Sequence, residues 1–239
     1  MLIKKDIEII EPHPAIYISS INSILIADLH LGYEGIMAEQ GVFLPKIQFK
    51  KEMEALEDII SKKDAERIIL LGDVKHEFSE TSYHEFKEVK DLFIFLKERF
   101  EEVDLIKGNH DNYIFYITSK YGINLHDELE IGDYFLIHGH KYPSKRIERF
   151  LILGHEHPAI AIYDEIGVKE KIKCFLVGEN ILVMPAFSYL ASGSEVNIIP
   201  RGELLSPILR DIKIDNLEVL AISEEIGCLS FGKLKNLRI

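Results

Sequence analysis

Short apolar runs alternate with longer segments in which apolar residues recur every three or four positions. Ser23 to Ala27, Arg67 to Leu71 and Val103 to Lys107 read as strands. Between the first two, Phe49, Met53, Leu56 and Ile60 mark one face of an amphipathic helix. Phe86, Val89, Phe93 and Leu96 mark another between the second and third. A β-α-β-α-β unit follows from this order. Such crossovers are right-handed, so the strands should be parallel, with their carboxyl ends lining a common crevice.

Beyond about residue 125 the period shortens. Tyr134 to Ile137, Arg149 to Leu153, Lys173 to Val177 and Ile181 to Met184 read as closely spaced strands, and Leu217 to Ile239 as further ones. The simplest way to bury them is a second, more antiparallel sheet packed on the first, with helices outside. No repeat, low-complexity stretch or Gly/Pro/Ser-rich linker divides the chain, so a single domain over 1–239 is expected.

Composition narrows the function. Lys and Arg total 28 against 40 Asp and Glu, a net charge of -12. That charge repels polyanions at long range and argues against tight nonspecific DNA binding. No apolar run is long enough to span a bilayer, and Met1 to Glu11 alternates charged and apolar residues unlike a signal peptide. No membrane association and a cytoplasmic location are expected. Cys174 and Cys228 lie far apart in apolar runs, where buried free thiols are expected instead of a disulfide or a CxxC metal site.

The polar residues that interrupt this pattern are concentrated where apolar runs end. The clusters are Asp28-Leu29-His30, Gly72-Asp73, Gly108-Asn109-His110-Asp111, His138-Gly139-His140 and Gly154-His155-Glu156-His157. Of ten histidines, only His13, His84 and His126 lie outside these clusters and their immediate neighbours. Imidazole, carboxylate and amide donors without thiolate suit Mn, Fe, Co, Ni or Zn at a site other than a structural zinc centre. An Asp-x-His on an extended segment would point both side chains to one face, and His155 and His157 would repeat the device. Singly, each cluster reads equally well as a turn; their ordered combination at strand ends is what points to a metal site.

That order, D-x-H, G-D, G-N-H-D, H, G-H-x-H, resembles the calcineurin-like metallophosphoesterase superfamily over residues 28 to 157. Asp28-Leu29-His30-Leu31-Gly32, Gly72-Asp73-Val74-Lys75-His76 and Gly154-His155-Glu156-His157-Pro158 look like its DNA ligase-associated branch. The resemblance implies an α/β fold, a four-layer α-β-β-α sandwich of two mixed sheets. It implies two divalent metal ions, Mn2+ first among the candidates. Asp28, His30, Asp73 and His157 would hold one, and Asp73, Asn109, His138 and His155 the other, Asp73 bridging. Cations sharing a carboxylate and a water lower that water's pKa for in-line attack on phosphorus. His110 would assist the leaving oxygen.

Three positions depart from the pattern or exceed it. Many relatives have Asp where this chain has His76, so His76 would either contact substrate phosphate or support the site structurally. His140 duplicates His138, to which the ligand is assigned because it ends the better strand, and His140 is left as a substrate-binding candidate. The basic stretch Lys141 to Arg149, with Lys145 and Arg146 at its centre, would receive phosphates or be a solvated loop.

The function implied is phosphodiester hydrolysis on a nucleotide or nucleic-acid end. A phosphomonoesterase would use the same site, and a noncatalytic scaffold of the same fold would be expected to lose ligands. The expected partner is the phosphate-ester substrate, with a homodimer left open.

Overall fold

The computed structural model describes residues 1–78 and 83–239, and counts below refer to those. The first sheet contains β1 (Leu2–Lys4), β2 (Ile7–Ile9), β3 (Ile16–Ile18), β4 (Ser23–Ile26), β5 (Arg67–Leu70), β6 (Glu102–Ile106) and β7 (Asn124–His126), in that spatial order. Antiparallel hairpins join β1 to β4, whereas β4, β5, β6 and β7 run parallel. The predicted crossovers are there as α2 (Gln48–Lys62) and α3 (Tyr83–Lys97), preceded by the short α1 (Tyr33–Glu39) and followed by α4 (Phe115–Tyr121).

The second sheet takes β8 (Leu129–Ile131), β9 (Tyr134–Ile137), β10 (Phe150–Leu153), β11 (Pro158–Tyr163), β12 (Lys169–Val177), β13 (Ile181–Val183), β14 (Ser194–Glu195), β15 (Glu218–Ser223) and β16 (Gly227–Lys233). It is mixed. β9, β10 and β13 are parallel at its centre, and antiparallel pairs flank them. The tail is two strands and a short 3-10 turn.

Strand side chains alternate between faces, so each parallel strand buries two different sets. Leu25, Ile69 and Ile106 meet Leu136, Ile152, Phe175 and Leu182 between the sheets. Ile24, Ile26, Ile68 and Leu70 face the other way, against Leu56, Ile59, Val89 and Phe93 of the helices. On the far side of the second sheet, Phe135, Ile137, Leu151 and Leu153 are covered by Ile208 and Leu209 of the short α5 (Pro207–Asp211) and by turns carrying Ile214 and Leu234. This is the expected α-β-β-α sandwich, with a thin fourth layer. Each such fully buried aliphatic side chain contributes about 1.5–3 kcal/mol.

Cys174 is buried and Cys228 half-buried, both as free thiols, so the expected burial is complete only for Cys174. The fully buried positions of α2 are Gln48, Glu52, Leu56 and Ile59. Phe49, Met53 and Ile60 flank that face, half-buried. The polar pair on it belongs to the functional site.

Candidate metal centre

Parallel β4, β5 and β6 end at one edge, and their continuing loops are laced together there. The amide of Asp28 donates to the Gly72 carbonyl (3.1 Å) and that of His30 to the Asp73 carbonyl (2.9 Å). Asp28, His30, Asp73, His155 and His157 all have left-handed backbone, with φ of 57°, 51°, 49°, 65° and 48°. The extended Asp-x-His expected from the sequence is therefore corrected: these side chains converge because the chain turns sharply past each strand end. Such conformations are uncommon outside glycine and cost about 1 kcal/mol or more each. Gly108 and Gly72 permit the crowding. A Cβ on Gly108 would fall on the Asp73 carboxylate, and one on Gly72, itself at φ 84°, on the His138 ring.

The donor atoms form three groups, two of them adjoining at Asp73 and a third made of His30, His76 and His110. Asp28, His30 and His157 each offer one ligand atom within 4.8 Å of the others, as do Asp73, His138 and His155. Asp73 Oδ2 links the sets, lying 3.2 Å from His138 Nε2 and 4.0 Å from His30 Nε2. Within the first set, His157 Nε2 is 3.2 Å from Asp28 Oδ1 and 3.3 Å from His30 Nε2. Asn109 Oδ1 approaches His138 Nε2 to 3.2 Å. Four imidazoles, two carboxylates and one amide oxygen crowded together on a backbone held open by glycine fit a pair of divalent cations in donor type and number.

The electrostatics agree with that fit. Burial, then the neighbouring His157, pushes His30 down to about 3. Burial and His138 push His155 down to about 4. Burial would raise Asp73, but the charge of His138 outweighs it and holds the carboxyl far below its usual range. Asp28 is lowered likewise, against burial, by His157. His138 is the exception, since the Asp73 charge overcomes burial and lifts it to about 9. Its Nδ1 donates to the Leu71 carbonyl (2.7 Å), which turns Nε2 toward Asp73.

Several supporting residues carried no role in the sequence reading. Buried Asp111 accepts the amides of Asp73 (2.8 Å), Gly108 (2.9 Å) and Val74 (3.0 Å), clamping two loops at once. Burial and the Asp73 charge raise it to about 6. Gln48 Nε2 donates to the Leu29 and His30 carbonyls and to Glu52. Glu85, in the first turn of α3, accepts the amides of His76 and Glu77. Glu156 accepts the Ser206 amide (2.9 Å). The available signal was polar residues at positions that helical spacing puts inside, Gln48 and Glu52 four apart. After β13 the chain crosses to the first sheet, where Ser188 donates its amide to the Asp28 carbonyl (3.0 Å).

Beside the donors lies a cleft of about 400 Å³, bordered by His30, His76, His110, His157, Tyr33 and the segment from Ser188 to Ser194. His110 Nδ1 hydrogen-bonds the main-chain carbonyl of His76, and its Nε2 is 3.9 Å from Asp73 Oδ2. The His76 ring stacks on His110 at 5.4 Å, with its Nδ1 3.3 Å from His30 Nδ1. His140 stands apart, its ring 5.3 Å from that of His138 and bordering a separate cleft with Lys107, Asn109 and Lys141. Lys145 is exposed and pairs with Glu130 (2.8 Å); Arg146 is exposed on the same loop. Neither borders the cleft of His110. Among the described residues, no helix is long and apolar enough to cross a membrane.

No curated protein matches the chain. Among solved structures, the nuclease MPE of Pseudomonas putida is 20% identical with a TM-score of 0.64, over 90% of this chain and 92% of that one. YfcE, a phosphoesterase from E. coli, is 15% identical with a TM-score of 0.41, over 84% and 87%. The first likeness is one of fold. The family model for calcineurin-like phosphoesterases matches residues 21–177, the segment that contains every donor described above. The chain thus belongs to the calcineurin-like phosphoesterase family, whose members are metal-dependent hydrolases of phosphate esters.

Proposed function

We propose that this phosphoesterase is a two-metal phosphodiesterase acting on a nucleotide or nucleic-acid strand. The observation that carries the two-metal reading is the position of Asp73 Oδ2, within 4.0 Å of ligand nitrogens from both donor sets. Asp28, His30, Asp73 and His157 hold one cation, and Asp73, Asn109, His138 and His155 the other. Bound there, the cations supply Lewis-acid activation of water and neutralise charge on the phosphoryl group. Mn2+ suits a set of imidazole, carboxylate and amide donors without thiolate. One domain over 1–239 is the unit in this reading, because both sheets share a core.

The remaining chemistry belongs to the cleft. With Nδ1 of His110 engaged by the His76 carbonyl, any proton that His110 passes to a leaving oxygen departs from Nε2, the atom nearer Asp73. The Asp of many relatives is thereby replaced as the His110 partner by a main-chain oxygen, which frees the His76 ring to line the cleft. Burial, then His110, pushes His76 down to about 4, so it meets substrate phosphate as a neutral hydrogen-bonding group. Lys145 and Arg146 remain candidates only for a substrate long enough to leave the cleft. The diester preference draws its support from the fold shared with a nuclease and from the cleft beside the donors, bordered also by Ser188 and by Leu190 to Ser194.

The test compares bis(p-nitrophenyl) phosphate, p-nitrophenyl phosphate and 2′,3′-cyclic nucleotides with the Mn2+-supplemented chain. The diester should be hydrolysed faster, Asp73→Asn should abolish turnover, and His110→Asn should depress it with both metals retained. A faster monoester, or an active Asp73→Asn, overturns the reading.

A further inference from the structure

The segment from Ala186 to Tyr189 borders two cavities. Ser188 lines the cleft of His30 and His110, while its neighbours Phe187 and Tyr189 line a second cavity of about 280 Å³. The peptide groups of this segment are pinned at both ends. The Ala186 carbonyl accepts from Lys173 Nζ (2.9 Å), and the Phe187 amide donates to the Ala27 carbonyl (2.7 Å). The Ser188 carbonyl accepts from the same Nζ, and the Tyr189 amide donates to Glu52 Oε1 (3.0 Å). Between these, the Ser188 amide holds the Asp28 carbonyl, and Gln48 Nε2 donates to Ser188 Oγ (3.1 Å). Lys173 and Glu52, both in the lining of the second cavity, thus grip the segment that holds a proposed metal ligand.

The second cavity carries hydrogen-bonding capacity that the fold does not use. Glu52 is 3% exposed, and its Oε2 has no hydrogen-bond partner among the described residues, an arrangement that folds rarely tolerate. An ammonium has three protons, of which Lys173 gives two to the segment's carbonyls. Burial lowers Lys173 to about 8 and raises Glu52 to about 8, so at pH 7 the first is charged and the second neutral. Lys51 and Lys171 add loosely held charges, 3.7 Å from Glu54 and 3.8 Å from Glu195. Glu170 and Glu224 oppose them, and His13 is taken by Asp58 (2.6 Å). Three lysines against two ionised glutamates match one negative charge in a ligand. Pro12, Pro14, Ala55, Phe187 and Ile222 make the rest of the lining largely apolar.

We propose that this cavity is a second ligand site, for a small monocarboxylate with an apolar body, its head group on Lys173 and Glu52 and its body against Phe187 and the two prolines. A dianionic phosphate would bring more charge than the lining matches, and a cation would meet Lys173. A head group on Lys173 and Glu52 restrains the segment that holds Asp28, so occupancy is read at the metal centre. Such coupling is reciprocal: the carboxylate tightens binding of the first cation, and the cation tightens binding of the carboxylate. The site stands independently of the reaction, whereas the coupling rests on the two-metal reading.

The experiment titrates hexanoate calorimetrically into the full chain loaded with Mn2+, beside hexylamine, a similar body with the opposite charge. Hexanoate should bind saturably at one site and hexylamine should not. Lys173→Met should weaken hexanoate binding about 10-fold or more, the usual effect of losing a hydrogen bond to a charged group. Ala55→Leu, which narrows the cavity and keeps every charge, should weaken it too, and Lys51→Glu about 2- to 5-fold. At saturating hexanoate the Kd for Mn2+ should fall about 5-fold or more. No binding of hexanoate, equal binding of both probes, or binding unchanged in both Lys173→Met and Ala55→Leu overturns the site. Binding that vanishes in His155→Ala overturns it as well, because the carboxylate then sits on the metals. A Kd for Mn2+ indifferent to hexanoate overturns the coupling. Inactivity on bis(p-nitrophenyl) phosphate with hexanoate binding intact would instead overturn the phosphodiesterase reading and leave the site standing.

Discussion

The two walls of the metal centre are built in opposite ways. The wall from the first sheet carries Asp28, His30, Asp73 and Asn109, and side chains brought from elsewhere brace it: Asp111 beneath, Gln48 from α2 and Glu85 from α3. The wall from the second sheet carries His138, His155 and His157, and it leans on the first. His138 Nδ1 donates to the Leu71 carbonyl, and the His155 amide to the Asp28 carboxylate (3.0 Å). The oxygen-rich wall is thus part of the folded scaffold, whereas the imidazole wall takes its register from it. Damage to the first should cost stability and chemistry together; damage to the second should cost chemistry alone.

Removing an imidazole sharpens this most. His138→Ala should lower metal affinity by more than about 100-fold, beyond the usual cost of a supporting residue, while His140→Ala keeps both metals. Metal content after dialysis measures it, and the reverse result would move the ligand to His140. Half-buried His155→Ala should lose metal with little change in Tm. Asp111→Ala should do the contrary, lowering Tm by about 4–16 °C through about 2–4 kcal/mol of stranded amides. Turnover should fall about 10- to 100-fold in the same protein. An Asp111→Ala variant with unchanged Tm would break the comparison.

The walls differ in protons as well. His138 is held protonated near neutral pH, up to about 9, by Asp73, so metal uptake must displace a proton from the imidazole wall. Calorimetry in buffers of different ionisation enthalpy at pH 7 should register the release of about one proton. The smallest effect belongs to the brace behind the first wall. Burial raises Glu52 to about 8 from an ordinary 4.5, so the folded state binds its proton more tightly than the unfolded chain does. Its contribution is fully present below about 4.5 and is lost as pH rises toward 8. Glu52→Gln keeps an oxygen for the Gln48 amide and removes the titration. Its Tm should therefore gain a few degrees on the original chain between pH 5 and pH 8; a constant difference would show that Glu52 does not titrate there.

Much of the first wall is legible because its proposed ligands stand at the ends of apolar runs, and runs of that kind are what periodicity detects. The parallel order of β4, β5 and β6 and the helices between them followed from the same signal. The braces were not legible. Gln48 and Glu52 sit on the buried face of α2 among apolar residues, and the half-buried Phe49 and Met53 shift the apparent apolar face to one side. The crossing of Ser188 to the Asp28 carbonyl joins residues 160 apart in the chain, and no local pattern encodes it. Left-handed backbone at Asp28 and His155 was also hidden, since Asp-x-His and His-x-His spacing suits an extended strand equally well.

The five proposed ligands held at positive φ carry strain that the fold alone does not require. At each, glycine would fit the backbone better than the aspartate or histidine that stands there, by about 1 kcal/mol. At 28 and 73 the hydrogen bonds that the carboxylates accept from the His155 and His110 amides offset that strain, whereas at 30, 155 and 157 the side chain returns little to the fold itself.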